Sequence, residues 1–298
     1  MDRPQTPRSR SRKTSDAAAA TGVADSPTAE AQAPTVGAEQ AETPKPETPK
    51  LSDENAEAQG AGPATPLATI IIPVYNEQGL LETAVVDLIG KLRPLGFPFE
   101  VILSENGSKD DTKELAFGLE RRFPEVRALV SSEPNYGRAL RRGILEARGT
   151  FVLCDEIDIC DVEFHTRALA ILRSGQADMV VGSKAHAGAH DKRPAFRRLG
   201  TKVINTLLRV FLDFRGTDTH GLKAFHRERL LGIVNRCIVD RDLFASEFVI
   251  RAERADFRVM EIPVEIAEKR PPSINLTRRI PKVLKDLTRL FIAIRIRG

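Results

Sequence analysis

The chain has 298 residues, an apolar share of 41% and 45 Lys and Arg against 41 Asp and Glu. That length holds one large domain or two small ones, and the apolar share is ordinary for a globular protein. No apolar run approaches the roughly 18 residues that a membrane-spanning helix needs, and no apolar stretch follows the basic N-terminus as it does in a secretory signal. A cytoplasmic protein is therefore expected.

The first 66 residues contain no aromatic side chain and only Val23, Val36 and Leu51 as large aliphatics. So little apolar surface cannot offset the entropy of ordering, and residues 1–66 are expected to form a disordered tail. Seven Lys and Arg against ten Asp and Glu lie there, which leaves 38 against 31 for the rest and makes the folded part the more basic one. Arg3, Arg8, Arg10, Arg12 and Lys13 match a nucleic-acid arm only in charge; without interleaved aromatics or a fold signature, no nucleic-acid partner is expected.

From Leu67 onward short β-branched runs alternate with helical periodicity, the pattern of a βαβ series and a largely parallel sheet covered on both faces. Strands are predicted near 68–73, 99–104, 126–131, 150–155 and 178–183, with helices near 78–93, 109–122, 136–147 and 163–174 between them. Leu115, Leu119 and Phe123 share one face of the second helix, which should look inward. Lys184 to Pro194, rich in Gly, His and Lys, reads as a mobile loop, and a helix from about Phe196 to Leu212 follows. His186 and His190 are spaced by Ala-Gly-Ala, which speaks for a loop and against a zinc pair. A less regular stretch then runs to Ile266, with a helix near 242–254 and a strand near 257–262. Three cysteines, Cys154, Cys160 and Cys237, suit buried thiols better than disulfides or a structural zinc site.

The last segment places Ile280, Val283, Leu284, Leu287, Leu290, Phe291 and Ile294 at helical spacing, with Pro281 in the first turn. From Lys269 to Gly298 there are nine Lys and Arg and one acid, Asp286. Such a basic amphipathic helix suits a membrane surface, and packing on its own domain with a solvated basic face accounts for the same pattern.

In an open α/β sheet, ligands sit outside the carboxyl ends of the strands. The first strand ends Pro73-Val-Tyr75-Asn76-Glu77, the second Leu103-Ser104-Glu105-Asn106-Gly107-Ser108-Lys109-Asp110, and the fourth Asp155-Glu156-Ile157-Asp158. An acid at a strand end is commonly a helix cap or a solvated turn. Three such ends converging on one crevice offer more: Tyr75 can stack on a base, Glu77 and Glu105 can accept hydrogen bonds from base or ribose, and the acidic cluster supplies the oxygen ligands that Mg²⁺ or Mn²⁺ takes together with phosphates.

On these residues the chain from Ala68 to about Phe225 resembles the family 2 glycosyltransferases, whose GT-A fold is a Rossmann-like, mostly parallel sheet flanked by helices. The motifs that carry the resemblance are IIPVYNE, ENGSKDD, Asn135-Tyr136-Gly137 and DEID. Gly182-Ser183-Lys184, Arg197-Arg198 with Asn205, Thr217 to Phe225 and Lys269-Arg270-Pro-Pro-Ser273 look closest to the branch of polyprenyl-phosphate and dolichyl-phosphate mannose synthases. The implied organisation is a tail over 1–66, a GT-A glycosyltransferase domain over 67–275 and a basic amphipathic C-terminal helix over 276–298.

The resemblance implies an inverting, metal-dependent enzyme that moves a sugar, mannose from GDP-mannose by preference, onto a polyprenyl phosphate at the cytoplasmic face of a membrane. Pro73, Tyr75, Glu77, Leu103 and Glu105 would line the nucleotide, with Glu156 beside them. Lys184, Lys223 and Arg270 would meet the donor diphosphate or the acceptor phosphate. Asp155 would be the first acid of the catalytic metal motif. Ile157 stands where its second acid is usual, so either Asp158 or Glu156 completes the shell. Lys184 replaces a more usual Arg and gives a point charge in place of a bidentate fork. Two alternatives keep the fold: another nucleotide sugar with a polysaccharide or small-molecule acceptor, or a non-catalytic nucleotide-sugar-binding scaffold.

Overall fold

A computed structural model of the protein describes residues 65–183, 195–264 and 276–297. The proposed tail, Lys184, the His186 and His190 pair, Lys192, Arg193 and the Lys269 to Ser273 segment with Arg270 all lie outside the described residues.

Each aliphatic run from Ala68 becomes a strand and each amphipathic run a helix. In chain order these are β1 (Ala68–Val74), α1 (Leu81–Leu92), β2 (Phe99–Asn106), α2 (Thr112–Arg122), β3 (Val126–Ser131), α3 (Tyr136–Glu146), β4 (Phe151–Cys154), α4 (Val162–Arg173) and β5 (Met179–Ser183). There follow α5 (Ala195–Leu212), β6 (Lys223–His226), α6 (Arg227–Arg236), α7 (Phe244–Arg254), β7 (Val259–Pro263) and α8 (Leu276–Phe291), which runs into a π-helical turn at Ile292–Ile296. The seven strands form one sheet in the order β3-β2-β1-β4-β6-β5-β7. All pairings are parallel except those of β6, which runs antiparallel to both β4 and β5.

Strand β6 and helix α6 were not expected. A strand of only four residues, with Lys223 inside it, shows no periodicity to read. Strands β4 and β5, consecutive in the chain, are thereby separated in the sheet.

Both faces of the sheet are covered, as parallel strands require. On one face Leu81, Val85 and Leu88 of α1, Ala116 and Leu119 of α2, and Phe164 and Ala168 of α4 pack over Ile70, Ile72, Val101 and Leu153, with Leu115 and Phe123 half-buried against them. On the other, Leu140 and Ile144 of α3, Ile233 of α6, Phe244 and Phe248 of α7, and Leu290 of α8 cover Ile71, Ile102, Val152 and Val181. Close approach is enforced at Gly143, where a Cβ would stand 2.5 Å from Ile71 Cγ2.

Helix α8 thus buries Leu290, with Ala293 and Ile294 of the turn after it, while Leu284, Phe291 and Ile296 stay exposed. Its anchor is a buried ion pair of α7. Glu247 accepts from Arg251 Nε at 2.8 Å and from the backbone of Ile238 and Val239, and Arg251 Nη2 reaches Ala293 O at 2.8 Å. The packing expected of this helix is therefore present, and its flank of Leu284 and Phe291 stays partly exposed beside α5, with the Phe291 ring edge-on to Phe211. No described helix is long and apolar enough to cross a membrane.

Candidate active site

The sheet register sets the carboxyl ends of the strands side by side. Val74 is level with Glu105 on β2, Ile71 with Cys154 on β4, and Cys154 with Lys223 on β6. Tyr75, Glu105, Asp155 and Lys223, expected at one crevice, are thus on one edge of the sheet.

The first two loops of that edge are tied to each other. Asn76, in the left-handed region at φ 53, accepts from Lys109 N at 2.9 Å and donates its own N–H to Ser108 Oγ at 3.0 Å. Glu77 N donates to Thr112 Oγ1 at 2.7 Å and Gln78 N to Asp110 Oδ2 at 3.3 Å. These bonds replace the first helical turn that periodicity predicts, which is why α1 and α2 each start three residues later than expected. Gly107, at φ 70, makes the turn. Burial opposes ionisation of Asp110, but the donors of Thr112 and Gln78 prevail and lower its pKa.

Within this frame Tyr75 is exposed and Glu77 half-buried. Glu105 is shut in, its Oε1 accepting from Ser108 N at 2.5 Å, so it holds the turn together. Leu103, expected beside the base, is fully buried on the face of α1, α2 and α4, where strand alternation puts it with Ile72. Its side chain serves the core. Asn106 and Asn135 extend the network: Asn135 N donates to Asn106 Oδ1 at 2.5 Å, and Asn135 Oδ1 caps α3 through Arg138 N at 3.1 Å.

Of the acids after β4, Asp155 is turned inward. Its Oδ1 accepts from Glu156 N at 2.7 Å, and its Oδ2 accepts from Asp161 N at 3.1 Å and from His165 Nε2 at 2.6 Å. Asp161 in turn caps α4 through Phe164 N at 2.9 Å. Ile157 is buried, which lifts Glu156 and Asp158 to the half-exposed surface of the loop. Among the described residues, no three His, Cys, Asp or Glu side chains are grouped so as to hold a metal ion unaided. His165 went unnoticed in the sequence, where a single His on an amphipathic helix carries no signal.

The fourth contributor arrives on β6. Lys223 is buried and its Nζ donates to Gly221 O at 2.7 Å. Burial lowers its pKa, while Cys154, Asp218 and Glu156 pull the other way. Burial pushes the neighbouring Cys154 thiol up to about 12. The loop before Lys223 is held by Glu261 of β7, which accepts from Thr217 N at 2.5 Å and Asp218 N at 3.1 Å, and by Asn205 Nδ2 to Thr217 O at 2.5 Å. Asp218 Oδ1 accepts from His220 N and Gly221 N, leaving the His220 ring exposed. Glu261, another residue the sequence did not single out, belongs to a strand end that looked unremarkable.

A parallel sheet with one antiparallel strand, its carboxyl edge carrying an exposed aromatic, half-exposed acids and a buried lysine, has the architecture of the GT-A class of glycosyltransferases. The comparisons are specific. Residues 69–231 match the model of glycosyl transferase family 2, and the chain belongs to that family. It is 31% identical over 219 residues to glycosyltransferase AglD of Haloferax volcanii, covering 71% of this chain and 35% of that one. The chain therefore spans about a third of the length of that relative. It is also 27% identical over 244 residues to dolichyl-phosphate beta-glucosyltransferase ALG5A of Trichomonas vaginalis, covering 77% of this chain and 74% of the relative. Among solved structures, glucosyl-3-phosphoglycerate synthase from Mycobacterium tuberculosis, in complex with Mn²⁺, UDP and phosphoglyceric acid, shares the fold at a TM-score of 0.54 and 20% identity, over 76% of this chain and 78% of that one.

Proposed function

We propose that this protein transfers a hexosyl group from a nucleotide sugar to a polyprenyl phosphate at a membrane surface, with inversion at the anomeric carbon. The observation that carries the reading is the convergence of Tyr75, Glu156, Asp158 and Lys223 on one sheet edge in a family 2 chain. For the donor, the relatives favour glucose over the mannose expected from sequence motifs, since three are named dolichyl-phosphate beta-glucosyltransferases at 26–27% identity, and the UDP bound in the solved neighbour makes UDP-glucose the donor to test first.

A divalent ion fits the loop after β4 in a particular way. Asp155 has three of its acceptor directions occupied, whereas Glu156 and Asp158 are half-exposed. Mg²⁺ and ions like it are commonly held by one or two carboxylates together with substrate phosphates, so Asp158 and Glu156 would hold it and Asp155 would fix the loop that presents them. Mn²⁺ in the solved neighbour supports an ion of this class. When bound, the ion would neutralise charge developing on the departing diphosphate.

The protein's own groups do the rest. Tyr75 offers a face for the base, the Asn76 to Thr112 network keeps the two nucleotide loops rigid, and Lys223 places positive charge at the sheet edge where phosphates would lie. An acceptor phosphate is already anionic near neutral pH and needs little general-base help. For its lipid tail, an apolar cleft of about 280 Å³ lies between α5 and α8, lined by Leu207, Phe211, Leu212, Leu284, Leu287 and Phe291. Arg295 stands at its rim, with its Nε donating to Phe211 O at 3.1 Å, and an apolar cleft edged by a cation suits the surface of a bilayer.

The test is to incubate the protein with radiolabelled UDP-glucose or GDP-mannose, Mn²⁺ or Mg²⁺, and polyprenyl phosphate in detergent. Label from UDP-glucose should enter the organic phase, and Asp158→Asn should abolish the transfer. Label moving only to water-soluble acceptors would replace the polyprenyl reading with the small-molecule one. No transfer from any donor, with the protein folded, would leave the scaffold reading.

A further inference from the structure

Two adjoining cavities of about 510 and 520 Å³ lie between the loop before α3, the loop before α7, and α8. Their cationic lining is Arg138, Arg241, Lys285, Arg289 and Arg297. Three carboxylates, Glu133, Asp240 and Asp286, face the same space. Of these, Asp240 and Glu133 pair with Arg138, at 3.0 and 3.9 Å. Among the described residues the lining thus holds five cations against three carboxylates, a net excess of two positive charges, and Arg241, Lys285, Arg289 and Arg297 are the cations left without an acid partner. Like charges brought together around a concavity repel one another, and an anion between them relieves that repulsion.

The backbone holds one of these cations in place at some cost. Arg241 is in the left-handed region at φ 59, which non-glycine residues rarely adopt. Its N–H donates to Asn135 Oδ1 at 2.9 Å. Gly137 lets the two loops close: a Cβ there would stand 2.5 Å from Arg241 O. These contacts fix Arg241 against the start of α3, at the cavity wall, opposite Lys285 and Arg289 of α8.

We propose that this basic cavity, whose lining includes none of Tyr75, Glu156, Asp158 and Lys223, is a further binding site for a phosphate-bearing anion. A phosphate group carries up to two negative charges and several acceptor oxygens, which suits several converging cations better than a single carboxylate does. The phosphate comes either from the headgroup of an anionic lipid or from a soluble organic phosphate. Through Asn135, which bonds both Arg241 and Asn106, the site also touches the end of β2.

The test uses the full chain and a variant carrying Arg241→Asn, Lys285→Gln and Arg289→Gln. Asn tolerates the left-handed backbone at 241, all three side chains are exposed, and circular dichroism confirms the fold. A control variant removes three exposed cations elsewhere, Lys113, Arg121 and Arg236, with the same change in net charge. Radiolabelled inorganic phosphate is followed by equilibrium dialysis, and vesicles of phosphatidylcholine with or without phosphatidic acid by sedimentation. Loss of about tenfold or more in affinity for phosphate or for phosphatidic-acid vesicles, in the cavity variant only, is expected. Loss in the vesicle arm identifies the source as a lipid headgroup, and loss in the dialysis arm alone identifies a soluble phosphate. Equal binding by wild type and cavity variant in both arms, or an equal loss in the control variant, overturns the proposal.

Discussion

His165 Nε2 lies 2.6 Å from Asp155 Oδ2, with both side chains shut away from solvent. The bond ties helix α4 to the loop that follows β4, and with Asp161 N it holds that loop from its far end. His165 Nδ1 is buried without a partner among the described residues, so the ring is committed to this one carboxylate.

Replacing His165 by Phe keeps an aromatic ring but leaves a carboxylate oxygen short of a donor, a loss of about 1–3 kcal/mol. The loop presenting Glu156 and Asp158 should loosen. Turnover is expected to fall by about tenfold or more, with His165→Asn, which keeps an N–H, recovering part of it. Unchanged turnover in the Phe variant would show that the loop is held without the pair.

At the opposite edge of the sheet, Asp178 accepts from Arg229 Nη1, Arg258 N and the Arg258 guanidinium. The hydrogen bonds of Arg258, with help from Arg229, hold its carboxyl far below the usual carboxylate range against the opposing effect of burial. A pKa depressed on folding contributes stability that is present above the unfolded value of about 3.9 and fades as pH falls through the folded value. Asp178→Asn should therefore destabilise by about 2 kcal/mol at neutral pH. The gap between variant and wild type in urea unfolding should narrow below about pH 4.

Gly221 faces the end of β5, where an added methyl group would run into Gly182 O. Gly221→Ala must push the Thr217 to Gly221 loop outward and draw Lys223 with it. Activity should fall by about tenfold or more, with a drop in melting temperature of a few degrees, about that of 1 kcal/mol. A fully active Gly221→Ala protein would contradict this packing.

The cysteines should differ in reactivity. Cys154 and Cys237 are buried, with the Cys154 thiol at about 12 and that of Cys237 also pushed up by burial. Cys160 is half-exposed. Brief treatment of native protein with iodoacetamide should label Cys160 first, as mass spectrometry of the digest will show, with all three labelled after unfolding.

How much of this was legible in sequence depends on the kind of signal. The five parallel strands up to β5 and the helices between them announced themselves by periodicity, because each buries one face repeatedly. The strand ends carrying Tyr75, Glu105 and Asp155 were legible for the same reason, since each follows an apolar run. What a side chain does at such an end was not. Leu103 and Glu105 are two residues apart, and both turned inward; only the three-dimensional network separates an acid that braces a turn from one that faces a ligand. His165 and Glu261 act through partners ten and more than forty residues away, and nothing local marks them.

Strand β6 has a consequence for how the molecule is made. It fills the gap between β4 and β5, yet it follows both of them and α5 in the chain. The strands β1 to β4 can pair as they emerge, while β5 waits for a neighbour. A chain stopped after β5 would expose unpaired strand edges, a template for aggregation, and would lack Lys223. The acidic side of the crevice is thus ordered by early, nearer pairings, and its cationic side by a late and distant one, the slower kind of contact to form.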